Sequence, residues 1–245
     1  NTAGMIAALL LCGSWTFLAE TTQLGSDIPT ALVVICALDA ALRGHGRLLA
    51  CAAGTALSFK YTAAGPIAGI FLIAKMSWAT RARVAAAALA LVAPWWIRNL
   101  VEGLHPLFPF MGWPDVGVPM VFQHLEKYGA GRSLTDFLLL PWNAIMTAEL
   151  DSFRFLGRLS PAFLMLFPFA LWKSRTPGTA RRLTIAALVT VVAWSMGPHW
   201  LRYLVAGLPL VALAAAAGTT HAPANTAVVT GALIACLFGL PANLL

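Results

Sequence analysis

Apolar residues run along this chain in long blocks separated by short polar turns, not in the two-residue alternation of half-buried strands. The blocks cover residues 3–19, 28–42, 48–59, 64–76, 84–100, 161–172, 183–196, 201–218 and 226–240. A helix rises ~1.5 Å per residue and a bilayer's hydrocarbon core is ~30 Å thick, so the longer blocks are long enough to cross it. The shorter ones reach across by tilting, by recruiting flanking residues, or where the bilayer thins. The pattern predicts an all-α fold, a polytopic transmembrane bundle of about nine helices, with residues 1–245 forming one domain.

Two stretches refine that picture. Residues 93–111, APWWIRNLVEGLHPLFPFM, end an apolar block with a proline and two tryptophans, then set Arg98, Asn99, Glu102 and His105 in a polar collar before more prolines and aromatics. Tryptophan at headgroup level, charge just beyond it and proline where the helix stops are what a surfacing membrane helix requires. Residues 48–76 pose a different question, because they read as one helix interrupted only by SFKYTAAGP. One helix of that length would be ~43 Å long and would hold Lys60 in lipid at a cost of at least ~2.5 kcal/mol. Two short helices meeting at Lys60 and Tyr61 are therefore expected, with Gly65 and Pro66 supporting a break or kink.

Composition supports the membrane class. Hydrophobic residues make up 60% and charged residues 10% of the chain, with mean hydropathy +0.80, whereas soluble domains carry roughly 25% charged residues. The net charge of +7 lies in short loops between apolar blocks and not on a soluble patch, so no nucleic-acid partner is expected. Cys12, Cys36, Cys51 and Cys236 all fall inside apolar blocks, without CxxC spacing, and read as small core residues.

The turns sort by charge. With a hairpin at Lys60, Arg43, Arg47, Lys75, Arg81, Arg83, Lys173, Arg175, Arg181 and Arg182 share one side, opposed only by Asp39. The positive-inside rule makes that side cytoplasmic. The opposite side mixes eight carboxylates with seven bases, among them Lys60, Arg98 and Arg202. Mixed charge at the ends of spans suits a site for a charged ligand. One outer loop, residues 101–160, is much longer than the rest. It holds turn-rich sequence and two amphipathic stretches expected to lie along the membrane surface, the second with Ser133 as N-cap three residues before Asp136. A loop of this length serves either as a lid or as a passive cap.

Phosphate-loop, dinucleotide, HExxH and nucleophile-elbow signatures are absent from the sequence. His45, His105, His124, His199 and His221 are dispersed, which argues against a histidine cage, although single outer carboxylates are able to hold a divalent cation beside a phosphate.

The succession of an acidic loop leading into D-x-P-T-A-L, then GTALSFKYT, PWWIRNLVEGLHPLFPF, DFLLLPW and RYLVAGLPL resembles the GT-C superfamily of integral-membrane glycosyltransferases. The nearest types are the protein mannosyltransferases and the lipid A aminoarabinose transferases. Each piece is short, and the likeness lies in their order over most of the chain. It implies transfer of a sugar from a polyprenyl phosphate or diphosphate donor to a lipid, glycan or protein acceptor on the non-cytoplasmic side. The expected setting is a multi-pass protein among membrane lipids, of the bacterial inner-membrane kind, with its site facing the periplasm. Because the chain starts without Met and runs straight into an apolar block, the resemblance also implies that the family's first-loop acid lies upstream of residue 1.

Asp27 matches the family's second outer acid and is the expected catalytic carboxylate or metal ligand; the plainer alternative is an N-cap ahead of Pro29 at N2. Glu20 is the second catalytic candidate, or simply the end of the first span. Lys60, with Tyr61 beside it, matches the family's lysine after a short helix, and a lysine at membrane depth is a candidate phosphate ligand or a snorkelling side chain. Arg98 is expected either to fork onto phosphate or to anchor at the interface beside Trp95 and Trp96. Arg202 and Tyr203 match the family's R-Y and complete the phosphate-binding set, while Asn99 and His105 are auxiliary candidates. The rival readings are a transporter or flippase of an amphipathic lipid, which a broken helix at Lys60 would suit, and a noncatalytic membrane subunit.

Overall fold

The computed structural model describes residues 2–23, 25–108, 129–149, 154–219 and 231. Among them the chain is all-helical. In order it forms α1 (Thr2–Cys12), α2 (Trp15–Thr22), α3 (Asp27–Arg43), α4 (Gly46–Phe59), a 3-10 turn (Tyr61–Ala63), α5 (Ala64–Ile73) and α6 (Trp78–Val101). After the first part of the long loop come α7 (Leu134–Met146), α8 (Ala162–Lys173), α9 (Thr179–Ser195), a second 3-10 turn (Leu201–Leu204) and α10 (Leu208–Thr219). The expected final block and the first amphipathic stretch of the long loop lie outside the described residues.

The apolar blocks among the described residues do become helices, but most are shorter than a bilayer requires. Among the described residues only α6 is long and apolar enough by itself to cross a membrane, and a second span counts if α1 and α2 are taken together. That first block, expected as one helix, bends by 77° at Gly13–Ser14. The break is braced: the Ser14 hydroxyl donates to Leu10 O at 2.8 Å and accepts from Ser160 N at 3.1 Å. Thr16 and Arg158 exchange backbone and hydroxyl hydrogen bonds alongside.

The expected interruption at Lys60 is present. Lys60 is extended, at φ −159° and ψ 129°, and ends α4. Gly65 and Pro66 fall in the first turn of α5 instead of making the break, and Pro66 loses no hydrogen bond there, since first-turn N–H groups have no helical acceptor. The other ends are equally local in origin. Gly44 closes α3 with φ +75°, which glycine adopts without strain, and its N–H reaches Ala40 O and Ala41 O. Ser133 caps α7 in a reciprocal box with Asp136, as the sequence pattern predicts.

Helices meet through small residues. A Cβ on Gly65 would lie 2.6 Å from Ala193 Cβ, and one on Gly69 would lie 2.7 Å from Ala186 O, so this four-residue spacing lets α5 and α9 touch backbone to backbone. Gly54 packs in the same way on Ala88 and Leu91 of α6. Ala37, Ala40, Ala53, Ala56, Ala186 and Ala215 are fully buried, while Leu32, Leu72, Leu138 and Met196 point outward.

These contacts also fix direction. Residues 65 to 69 face residues 193 to 186, so α5 and α9 are antiparallel. Lys75 N donates to Ala41 O at 3.0 Å, bringing the turn after α5 to the C-terminal end of α3. The basic turns after α3, after α5 and before α9 therefore gather at one end of the bundle. Asp27 opens α3 at the other end, ~25 Å away along the helix. Arg81 has more than a topological role: its guanidinium donates to Leu72 O, Ala74 O and Met76 O, at 2.9, 2.7 and 3.1 Å, and so satisfies the exposed carbonyls where α5 ends.

Candidate functional site

At the end of the bundle opposite the basic turns, four elements deliver charge to one place. Glu20 comes from α2, Asp27 from the first turn of α3, Lys60 from the break after α4, and Arg202 from the second 3-10 turn. The Lys60 ammonium is ion-paired with Asp27 Oδ1. Arg202 Nη2 donates to Asp27 Oδ2 at 3.3 Å, and its Nε lies 3.7 Å from Glu20 Oε1. Asp27 is 1% exposed and Glu20 6%, whereas Arg202 is 44% exposed. The carboxylates form the floor and the guanidinium the accessible rim.

Tyr203 completes the wall. Lys60 Nζ stands 5.3 Å from its ring centroid, and the ring also packs at a tilt against Trp200 with centroids 5.2 Å apart. Gly25 lies beside the carboxylates: a Cβ there would be 3.7 Å from both Asp27 Oδ2 and Glu20 Oε2, and 4.0 Å from Arg202 Nη2. Glu20 Oε2 is buried and, among the described residues, has no donor partner.

Asp27 is not the N-cap. Ser26 holds that position and Asp27 is the first helical residue, so Pro29 stands at N3 and not N2. The Asp27 side chain turns from its own helix to the two cations, the use that the capping alternative competed against. Tyr61 opens the 3-10 turn immediately after Lys60 and is half-buried.

The polar collar after α6 does something else. Arg98 Nε donates to Glu102 at 2.8 Å, its Cζ sits 5.4 Å from the Trp95 ring centroid, and among the described residues no hydrogen bond or ion pair joins it to Asp27, Lys60 or Arg202. This i,i+4 pairing lies on an exposed face beside Trp95. Asn99 is buried and donates from Nδ2 to Pro106 O at 2.9 Å, and Leu107 N donates to His105 Nδ1 at 3.1 Å. Asn99 and His105 thus fold the exit turn, and the expected convergence of Arg98 with the other three is not observed.

Sequence reasoning missed a second polar assembly. Arg132, from the long loop, donates to Ser195 O at 3.1 Å and Gly197 O at 2.9 Å, and its Nη1 lies 3.2 Å from His199 Nε2. His199 is buried, stacked near Phe155 and Trp194. Leu201 N donates to Phe155 O at 2.9 Å, so this assembly fixes the backbone leading to Arg202. Burial holds the His199 imidazole below its ordinary range; the Ser195 carbonyl works against that and the Arg132 charge reinforces it. No local signal marks the pair, because its members lie 67 residues apart.

Among the described residues no group of three or more His, Cys, Asp or Glu is placed to hold a metal ion. Two carboxylates matched by two cations make a poor divalent-cation site and a good polar cradle, since Lys60 has three donors and Arg202 five. Set against protein-family models, curated proteins and solved structures, the chain matches none.

Proposed function

We propose that this chain is the membrane-embedded body of a polyprenyl-phosphate-dependent glycosyltransferase of the GT-C type, a multi-pass bundle of about nine spans whose site opens on the non-cytoplasmic face. The observation that carries this reading is the convergence of Asp27, Lys60 and Arg202 at the end of α3 opposite the basic turns. The packing of glycine and alanine at helix contacts, beside exposed leucines such as Leu32, Leu72 and Leu138, supports the membrane setting, because helices in lipid associate by close backbone approach.

In the proposed reaction an acceptor hydroxyl attacks the anomeric carbon of the lipid-linked sugar. The bond from that carbon to the phosphate oxygen breaks, and its electron pair leaves with the phosphate. Lys60 and the accessible edge of Arg202 stabilise the charge that grows on that oxygen, which is where fixed cations lower a barrier. Asp27, or Glu20 behind it, takes or orients the acceptor proton.

The break at Lys60 favours one rival, a lipid transporter whose discontinuous helix binds its cargo. The two are separated by incubating the full-length protein in vesicles with a radiolabelled polyprenyl-phosphate hexose. Cleavage of the glycosidic bond with label moving to an acceptor supports the transferase; label crossing the bilayer still attached to its lipid overturns it.

A further inference from the structure

Among the described residues, nothing covers the outer face of α6. Its buried positions, Val84, Ala88, Val92 and Asn99, form one stripe, along which Val84 and Ala88 meet α4 at Gly46 and Gly54. Leu89, Ile97 and Leu100 face outward. Each end of the helix carries an arginine over a tryptophan: Arg81 Cζ is 4.4 Å from the Trp78 ring centroid, and Arg98 Cζ is 5.4 Å from that of Trp95. Both tryptophans and both arginines are spaced by seventeen residues, ~25 Å along a helix and close to a hydrocarbon core of ~30 Å.

The level of the ionic site follows from helix direction. Gly46 lies beside Val84, Gly54 beside Ala88 and Leu91, and the Ser58 hydroxyl donates to Leu91 O at 3.4 Å, so α4 and α6 run parallel. Lys60, just beyond Ser58, is therefore level with the turn of α6 that carries Trp95 and Arg98.

We infer that the outer face of α6 is a bilayer contact surface, held in register by its two Trp–Arg stacks, which sets the Asp27–Lys60–Arg202 cluster at the depth of lipid phosphates in one leaflet. Tryptophan and arginine both settle at the headgroup boundary, so the turn holding Trp78, Arg81 and Arg83 and the turn holding Trp95 and Arg98 define two boundaries, with the apolar residues 84–94 between them. A lipid-borne substrate then reaches Arg202 with its phosphate already at the right height. The inference rests on the membrane setting of the proposed function but not on its chemistry.

The test is spin-label accessibility in the full-length protein. Cys12, Cys36, Cys51 and Cys236 are replaced by serine, and single cysteines at Ala79, Ala86, Ala90, Ile97 and Val101 are labelled after reconstitution into phosphatidylcholine–phosphatidylglycerol vesicles. Oxygen accessibility relative to a water-soluble nickel chelate should peak at Ala86 and Ala90 and fall several-fold toward Ala79 and Val101. Replacing Trp78 and Trp95 together by alanine should shift or broaden that peak. Nickel exceeding oxygen at all five positions would mean water on this face, and exclusion of both reagents would mean protein covering it; either overturns the inference. A lipid profile with no sugar transfer by the wild-type protein would leave the bilayer register standing and remove the glycosyltransferase reading alone.

Discussion

The Lys60 ammonium meets the Asp27 carboxylate across 33 residues of sequence, one group ending a short helix and the other beginning a long one. The pair is largely withdrawn from solvent: Asp27 is almost wholly buried, and Lys60 stands where the backbone leaves α4. Breaking a buried pair costs about 3–5 kcal/mol when it leaves a lone charge. Arg202 remains beside Asp27, so Lys60→Ala should cost ~3 kcal/mol, the low end of that range. Asp27→Asn should cost less, because it removes the buried charge. Both should lower sugar transfer by ~10²-fold or more, the usual effect of deleting one charge-stabilising group. Transfer assays paired with thermal unfolding in detergent check this: wild-type rates in both variants would remove the pair from the site.

Arg202 joins both carboxylates through different nitrogens of one fork, Nε toward Glu20 and Nη2 toward Asp27. Lysine keeps the charge but has a single nitrogen and no fork. Arg202→Lys should therefore retain part of the activity that Arg202→Gln loses. Because the side chain is partly in solvent, neither change should cost more than ~1 kcal/mol of stability. A donor titration separates the roles: loss of phosphate binding raises KM in both variants, whereas loss of leaving-group stabilisation lowers kcat.

How much of this arrangement the sequence announced depends on whether the signal was local. The break at Lys60 was legible because a lysine between apolar blocks is costly in any straight helix. The sharing of one end by the basic turns followed from alternating short helices, and Asp27, Lys60 and Arg202 could be placed together on that count. Arg98 had the same sign and the same expected side, yet Glu102 one turn later is closer than any distant carboxylate. Sidedness assigns an end of the bundle, not a partner. The bend at Gly13–Ser14 was hidden because it is held by Arg158 and Ser160, far along the chain. The Arg132–His199 assembly was hidden for the same reason.

The α5–α9 contact offers a test of packing independent of the site. A methyl at Gly69 would press on the Ala186 carbonyl and Cα, which are backbone and cannot rotate away. Gly69→Ala should therefore destabilise by about 1–3 kcal/mol despite alanine's better helix propensity. Gly4 in α1 is the contrasting case, with nothing within 4 Å of its would-be Cβ. Gly4→Ala should raise stability by up to ~1 kcal/mol. Thermal unfolding of the two variants beside wild type decides: equal shifts would mean that α5 and α9 are not in backbone contact.

The last prediction concerns pH and His199. Its imidazole is held below the ordinary value of 6.5, first by burial and then by the Arg132 charge, against the opposing pull of the Ser195 carbonyl. In the unfolded chain the ring is free to protonate at its ordinary value, so near and below pH 6.5 the unfolded state binds more protons than the folded one. Stability must then rise with pH across that window. The contribution is fully present above 6.5 and is lost as pH falls through the lower folded-state value. A protonated His199 would also face Arg132 at 3.2 Å, loosening the loop from Ser195 and Gly197 and with it the backbone that carries Arg202. His199→Gln keeps a polar side chain without the titration, and should flatten the fall of unfolding temperature between pH 7.5 and 5.5. If the variant and the wild type lose the same stability over that range, another group carries the acid sensitivity and the latch does not depend on a neutral His199.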